Sequence, residues 1–334
     1  MPIAKPQRVA LKVCADAPAC AGWMLVAQGG VMPILYPCTR NSTMALCLFL
    51  SITAVAWGED FAELERRADR GNSDAEFRMG LEYAVGQRIP LDLERAARWY
   101  RKAAGHGNPL AQYNLGIAYH NGLGVARDDA ESVRWLRKAA DQGNADAEFL
   151  VGRAYDTGLG TAKDKTKAVL WYTRSDEGSA NPAAEYRLGE IYGYGDGVPK
   201  DALEAMRWYR KAGENGNAAA QCRLGAAYLL GMGVPQDNAL AAAWLRKAAA
   251  QGAVAAQYQL GSMYQAGEGV AQDYAEAYFW FNLAAAAEKE PVRQEEIVAQ
   301  RDAAASNLPE TVLAQTQERV RRWNSEHSAE PRAE

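Results

Sequence analysis

Histidine is scarce in this chain, 3 residues in 334, and His106, His120 and His327 share no spacing that would let two of them hold one metal ion. Nucleophile motifs are missing too. There is no Ser-x-x-Lys pair, no Gly-x-Ser-x-Gly elbow and no His-Glu-x-x-His, and Lys165-Thr166-Lys167 lacks the glycine of a Lys-Thr-Gly box. No catalytic residue, metal or cofactor is therefore expected, and the chain does not read as an enzyme. Basic charge is not in excess: 37 Lys and Arg stand against 41 Asp and Glu, a formal charge of −4, and the basic residues are scattered through the chain. That disfavours nucleic acid, whose binding needs a basic face. Of 5 cysteines, Cys14, Cys20, Cys38 and Cys47 precede the body of the chain, so Cys222 stands alone there and no disulfide can form within it. Cys222 reads as a small buried hydrophobe.

A membrane-spanning run is lacking as well. The apolar stretch from Met44 to Ala56 covers 13 residues, too few to cross a bilayer. Arg40 precedes it, Glu59 and Asp60 follow it, and Ala54-Val55-Ala56 fits the small-x-small cleavage rule. It reads as a secretory signal peptide cut near Ala56, before Trp57, which sends the protein to the periplasm or outside the cell. An uncleaved anchor or an incidental apolar segment is the alternative. The 31 residues ahead of Met32 fit neither a signal n-region nor a domain, which points to a start at Met32 or Met44. Without residues 1–56, 33 basic residues face 40 acidic ones, a charge of −7, and no stable membrane span is left.

What the chain has in abundance is repetition. Gly80, Gly116, Gly152, Gly189, Gly225 and Gly261 are spaced 36, 36, 37, 36 and 36 residues apart. Three residues past each comes a tyrosine (Tyr83, Tyr119, Tyr155, Tyr192, Tyr228, Tyr264), twelve past each an aspartate (Asp92, Asp128, Asp164, Asp201, Asp237, Asp273), and nineteen past each a tryptophan (Trp99, Trp135, Trp171, Trp208, Trp244, Trp280). A fixed period of this length marks a repeat architecture.

Within one copy, Ala111, Leu115, Ala118 and Tyr119 follow the spacing of an amphipathic helix. A Gly-x-Gly such as Gly122 and Gly124 ends it, in the manner of a left-handed helix C-cap; copy one has Gly86 alone. The aspartate then caps a second helix, and Glu131, Glu204 and Glu276 complete a capping-box pattern in copies two, four and six. That helix carries the tryptophan and ends in Lys-Ala-Ala, as at Lys102–Ala104. A mid-helix glycine costs about 1 kcal/mol relative to alanine, so six of them imply a compensating close approach between helices. One hairpin cannot bury its own Trp, Tyr and Leu rows, whereas stacked neighbours can, which gives a one-dimensional α-solenoid.

The expected organisation is a leader at 1–56 and an N-terminal half-repeat cap at 57–70. Six repeats follow at 71–106, 107–142, 143–177, 178–215, 216–251 and 252–287, then C-terminal capping helices at 288–324, the last ending near Trp323, and a disordered tail at 325–334.

With Leu-Gly-x-x-Tyr, Gly-x-Gly-Val, the capping Asp, Trp-Tyr or Trp-Leu and Lys-Ala-Ala in register over roughly 220 residues, the chain resembles the Sel-one-like repeat family of tetratricopeptide-like solenoids. The resemblance implies an all-α, right-handed superhelical α-solenoid that acts as an adaptor or regulator through protein–protein contacts, often in the bacterial envelope. A cysteine-rich branch of that family is linked to β-lactam binding, and an envelope ligand-binding or weak β-lactam-hydrolysing protein is the alternative function. The repeats here lack that branch's cysteines. A purely structural unit that assembles through its caps is a third reading.

By analogy with tetratricopeptide solenoids, the first helices line a concave groove that takes a protein or peptide segment. The residue after each Leu-Gly glycine then points inward, and that row varies: Leu81, Ile117, Arg153, Glu190, Ala226 and Ser262. Tyr113, Phe149, Arg153, Tyr186, Glu190 and Tyr194 form the candidate contact set, because aromatic residues and Arg are the usual anchors of interfaces. The alternative is that these aromatics are repeat core and the charges solvated. Copy three departs from the frame at Ser175–Pro182, where Lys-Ala-Ala is absent and the turn is longer; this is either a tolerated surface loop or a bend that opens the groove.

Overall fold

The computed structural model describes residues 26–27, 30–31 and 60–327. The expected signal peptide lies outside the described residues. Val26–Ala27 and Gly30–Val31 form a minimal antiparallel pair, and fifteen α-helices follow among the described residues. A single helix, α1 (Phe61–Asp69), comes first. Six hairpins follow: α2 (Ser73–Val85) with α3 (Leu93–Gly105), α4 (Pro109–Asn121) with α5 (Asp129–Ala140), α6 (Ala145–Thr157) with α7 (Lys165–Gly178), α8 (Pro182–Tyr194) with α9 (Ala202–Glu214), α10 (Ala218–Leu230) with α11 (Asn238–Ala250), and α12 (Val254–Ala266) with α13 (Tyr274–Ala287). Helices α14 (Pro291–Ala305) and α15 (Glu310–His327) close the described chain. The fold is thus an all-helical solenoid of six repeats. It divides into two compact units, Met1–Ala184 with Asp196–Val198, and Glu185–Gly195 with Pro199–Glu334.

Side chains and backbone mark both ends of the helices. Asn108 caps α4 by accepting from the Ala111 amide at 2.9 Å, and Asp128 caps α5 by accepting from Ala130 and Glu131, both at 3.0 Å. Gly122 ends α4 at φ +70°, a conformation cheap only for glycine. The expected capping box forms by half. The Asp128 amide, which a box would give to the Glu131 carboxylate, donates instead to the Tyr119 carbonyl at 2.9 Å, and Glu131 pairs with Arg134 at 2.9 Å. The same amide-to-tyrosine-carbonyl bond recurs at Asp201 and Asp273. It ties the start of each second helix to the first helix of its own hairpin.

The mid-helix glycines are explained by the residue twenty positions on. Tyr172, with no solvent exposure, lies flat over Gly152, where a Cβ would come within 2.7 Å of its ring. Tyr100, Leu136, Tyr209, Leu245 and Phe281 cover the other five glycines in the same way. Gly152→Ala is therefore expected to cost about 1–3 kcal/mol by overpacking. Gly105→Ala, at a helix end with nothing near the new methyl, should be neutral or stabilising. Urea unfolding of the two variants measures the contrast, and equal midpoints would refute the close-packing account.

The tryptophans behave differently from the expectation that they form the buried row. Only Trp135 (9 % exposed) and Trp280 (5 %) are buried; Trp99, Trp171, Trp208 and Trp244 are half-buried. Each of these six packs sideways or is covered from outside. Trp135 joins Ala96, Tyr100, Ala103, Ala111 and Leu115 of the preceding hairpin and its own, and the Lys138 ammonium sits 4.0 Å from its ring centre. Lys102 covers Trp99 at 3.9 Å and Lys247 covers Trp244 at 4.1 Å. In copy three, Arg174 does the same over Trp171 at 4.6 Å, so the missing Lys-Ala-Ala keeps its cation by substitution.

The second glycine of each Gly-x-Gly has its own role. A Cβ on Gly124 would collide with the Leu93 carbonyl at the start of α3, and one on Gly160 with the Asp129 carbonyl at the start of α5. Each loop thus seats on the second helix of the preceding hairpin. In copy one, Arg88 stands where later copies have this glycine, its guanidinium 5.7 Å from the Phe61 ring centre.

At the far end of the second unit, α14 buries Ile297 and Ala304 with Tyr278 and Phe281. Helix α15 lays Val320 and Trp323 against Phe279 and Trp280. It runs on to His327, three residues into the segment expected to be disordered, and the His327 ring stacks on Trp323 at 3.9 Å. Residues 328–334 lie outside the described part. No helix among the described residues is long and apolar enough to cross a membrane.

Candidate binding surface

On each first helix, positions three before, one after and five after the mid-helix glycine fall on one face, since residues four apart are stacked along a helix. In the first unit this face carries Tyr113 on α4 and Phe149 and Arg153 on α6, all half-buried. Phe149 is turned onto Tyr172 of its own hairpin, ring centres 5.6 Å apart. The Arg153 carbonyl accepts from the Thr157 hydroxyl at 2.9 Å. Phe149 is thus partly repeat core.

The second unit gathers the other three residues into one polar cluster on α8. The Tyr186 hydroxyl donates to Glu190 Oε1 at 2.9 Å, and Arg187 Nη1 donates to Glu190 Oε2 at 2.7 Å. Arg223, from α10, completes it. Its Nη2 donates to the Tyr194 hydroxyl at 3.0 Å and lies 3.7 Å from Glu190 Oε1. Burial opposes the charge on Arg223, but the hydroxyls of Tyr186, Tyr194 and Tyr209 outweigh it and raise the guanidinium's pKa above its ordinary value. Beneath, the Tyr186 ring packs on Tyr209 at 5.7 Å, whose own pKa burial raises first and foremost. Tyr194, by contrast, is 66 % exposed.

Sequence reasoning missed Arg187 and Arg223. They occupy the row two residues before the glycine, which reads Arg78, Asn114, Leu150, Arg187, Arg223 and Gln259. That row also varies between copies, though less than the one after the glycine, and its variation is the signal that points to it.

A second row went unnoticed. Four residues before each glycine stand Glu76, Gln112, Glu148, Glu185, Gln221 and Gln257, all buried. Their partners come from the turn thirty residues on or from the nearby helix end. His106 Nδ1 lies 2.7 Å from Glu76 Oε2, Gln142 donates to Gln112 at 2.8 Å, and Asn215 donates to Glu185 at 2.7 Å. Glu148 pairs with Arg174 at 3.0 Å; burial raises its pKa, and the guanidinium only partly offsets that. These groups stitch one hairpin to the next. His120 is likewise structural, 2.8 Å from Asp129 Oδ1. Two clefts of about 510 and 580 Å³ lie at equivalent seams, one lined by Arg101, Tyr119 and Asp128, the other by Arg246, Tyr264 and Asp273. Their recurrence in register makes them a property of the repeat, which leaves the α8–α10 cluster as the distinctive surface.

The comparisons with known proteins agree with the repeat geometry. The Sel1 repeat model matches residues 73–108, 109–144, 145–175, 182–217, 218–252 and 254–288. A Sel1 repeat protein from Oxalobacter formigenes is similar at 36 % identity and a TM-score of 0.64, over 71 % of this chain and 68 % of that one. The protein c5321, a protective antigen present in uropathogenic Escherichia coli strains and displaying an SLR fold, is similar at 30 % identity and a TM-score of 0.50, over 81 % and 67 % of the two chains. No curated protein matches. With its model covering more than half of the chain, this protein belongs to the Sel1 repeat family.

Proposed function

We propose that this Sel1 repeat scaffold is an exported adaptor of the bacterial envelope that holds a protein or peptide segment against the faces of its first helices and has no chemistry of its own. The observation that carries the reading is the α8–α10 cluster. There Tyr186 bonds to Glu190 and Arg223 bonds to Tyr194, with Arg223 and Tyr194 open to solvent, while the rows that repeat unchanged are accounted for by packing and capping. Tyr113, Phe149 and Arg153 supply a companion face in the first unit. The apolar run ending at Ala54-Val55-Ala56 supports export.

A photocrosslinking residue placed at Tyr194 should yield discrete adducts in the native envelope fraction, and the same residue at Leu170, 61 % exposed on the second helix α7 of the first unit, should yield few. Arg223→Ala should weaken that capture roughly tenfold, equivalent to about 1.4 kcal/mol. Equal adducts from both positions would sink the assigned surface. The intact mass of the exported protein tests the leader, which predicts a chain beginning at Trp57.

A further inference from the structure

The α8–α10 surface also carries information about its partner's chemistry. Glu190 is one carboxylate set between two guanidinium groups, Arg187 at 2.7 Å and Arg223 at 3.7 Å. The cluster therefore bears a net positive charge. Arg223 donates to the Tyr194 hydroxyl and also engages the Tyr186 hydroxyl, which leaves others of the five N–H donors of a guanidinium. Its side chain is 48 % exposed, so donors remain for an incoming oxyanion in the forked geometry that guanidinium offers a carboxylate. Tyr194 receives the Arg223 bond on its oxygen and keeps its own O–H to give.

Apolar surface lies on both sides of this charge. Arg223, Ala226 and Leu230 fall on one face of α10, at the i, i+3 and i+7 positions. Leu230 is 68 % exposed and Tyr194 66 %. Tyr194 and Arg223 are of the residue types that anchor interface hot spots, and Leu230 adds exposed apolar area beside them.

Resting on the adaptor reading above, we infer that the α8–α10 surface recognises an extended acidic–apolar peptide segment, a Glu or Asp carboxylate meeting Arg223 and the Tyr194 hydroxyl while a neighbouring large apolar side chain covers Leu230. Charge complementarity selects the acidic residue, and the exposed leucine and tyrosine ring select its neighbour. A neutral or basic segment lacks the first contact, and a wholly polar acidic one lacks the second.

The full chain is titrated by fluorescence anisotropy with a labelled octapeptide, Gly-Ser-Glu-Leu-Glu-Leu-Ser-Gly, and with the same peptide carrying Gln for Glu. The Glu peptide should bind at least tenfold more tightly, and the difference should shrink as salt screens the charges. Arg223→Gln should abolish the preference for Glu over Gln, Leu230→Ser should weaken both peptides, and Leu170→Ser, on the second helix α7 of the first unit, should change neither. If Arg223→Gln lowers the melting temperature, Leu230→Ser, at a solvent-exposed position, carries the test alone. Equal binding of the two peptides by the wild-type chain overturns the inference, as does an unchanged preference in a folded Arg223→Gln variant. Binding of neither peptide while the crosslink from Tyr194 persists overturns the acidic–apolar assignment and spares the adaptor reading. Binding of neither peptide together with no crosslink from Tyr194 overturns both.

Discussion

Replacing Trp135 by alanine is expected to lower the unfolding free energy by about 3–5 kcal/mol, the penalty for emptying a large aromatic site. The indole is 9 % exposed and packs among Ala96, Tyr100, Ala103, Ala111 and Leu115. Those residues come from α3 and α4, so the cavity opens between the second helix of one hairpin and the first helix of the next. Alanines dominate the lining, and short side chains on helix backbones have no rotamers with which to fill the space. The lost contact is a nearest-neighbour coupling, the kind of term that holds a solenoid together. Trp135→Ala should therefore shift the midpoint and also broaden the urea transition, as the hairpins on either side begin to unfold separately. Leu110→Ala, which removes a side chain 49 % exposed, should change stability by no more than about 0.5 kcal/mol. A Trp135→Ala variant that unfolds at the wild-type midpoint would refute the inter-hairpin role.

The frame of this fold was legible because each copy repeats the same physical instructions. Glycine at a helix C-terminus, aspartate or asparagine at an N-terminus, and an apolar stripe between them state the hairpin six times over. What the rows do was less legible. Tryptophan and the residue after it recur at the same period, so periodicity alone gives no reason to prefer Tyr172 over Trp171 as the cover of Gly152; only the contact separates them. The buried Glu76, Gln112 and Glu148 row stayed hidden because Glu and Gln are ordinary solvent-facing helix formers. Its trace is a covariation, Glu76 with His106 and Gln112 with Gln142, visible once copies are compared thirty residues apart. The capping box failed because the Asp128 amide had a better-placed acceptor in the Tyr119 carbonyl, on the first helix of the same copy, and the pattern Asp-x-x-Glu says nothing of that carbonyl. At the candidate surface, Tyr186, Glu190 and Tyr194 were legible as helix neighbours, whereas Arg223 reaches them from the next copy.

Replacing Lys165 by leucine is expected to destabilise the first unit by about 3–5 kcal/mol, the cost of taking one partner from a buried ion pair. The Asp156 side chain has no solvent exposure; it pairs with the Lys165 ammonium and accepts from the Tyr172 hydroxyl at 3.2 Å. Asp196, from the loop before α9, meets the same ammonium at 2.6 Å. Burial opposes the charge on Lys165, but the two carboxylates outweigh it and raise its pKa. A base raised in the folded state contributes its stability in full below the unfolded value of about 10.4 and loses it as pH rises through the folded value. The deficit of Lys165→Leu against wild type should thus shrink in alkali as the wild-type ammonium loses its proton. Copy two places an imidazole and a carboxylate at the same two positions, His120 Nδ1 2.8 Å from Asp129 Oδ1, and copy one fills them with Ala84 and Leu93. The frame therefore accepts either a matched pair or none. Asp156→Ala combined with Lys165→Leu reproduces copy one and should recover most of the stability that Lys165→Leu loses. A double variant as unstable as the single one would show that Lys165 contributes through something other than its carboxylates.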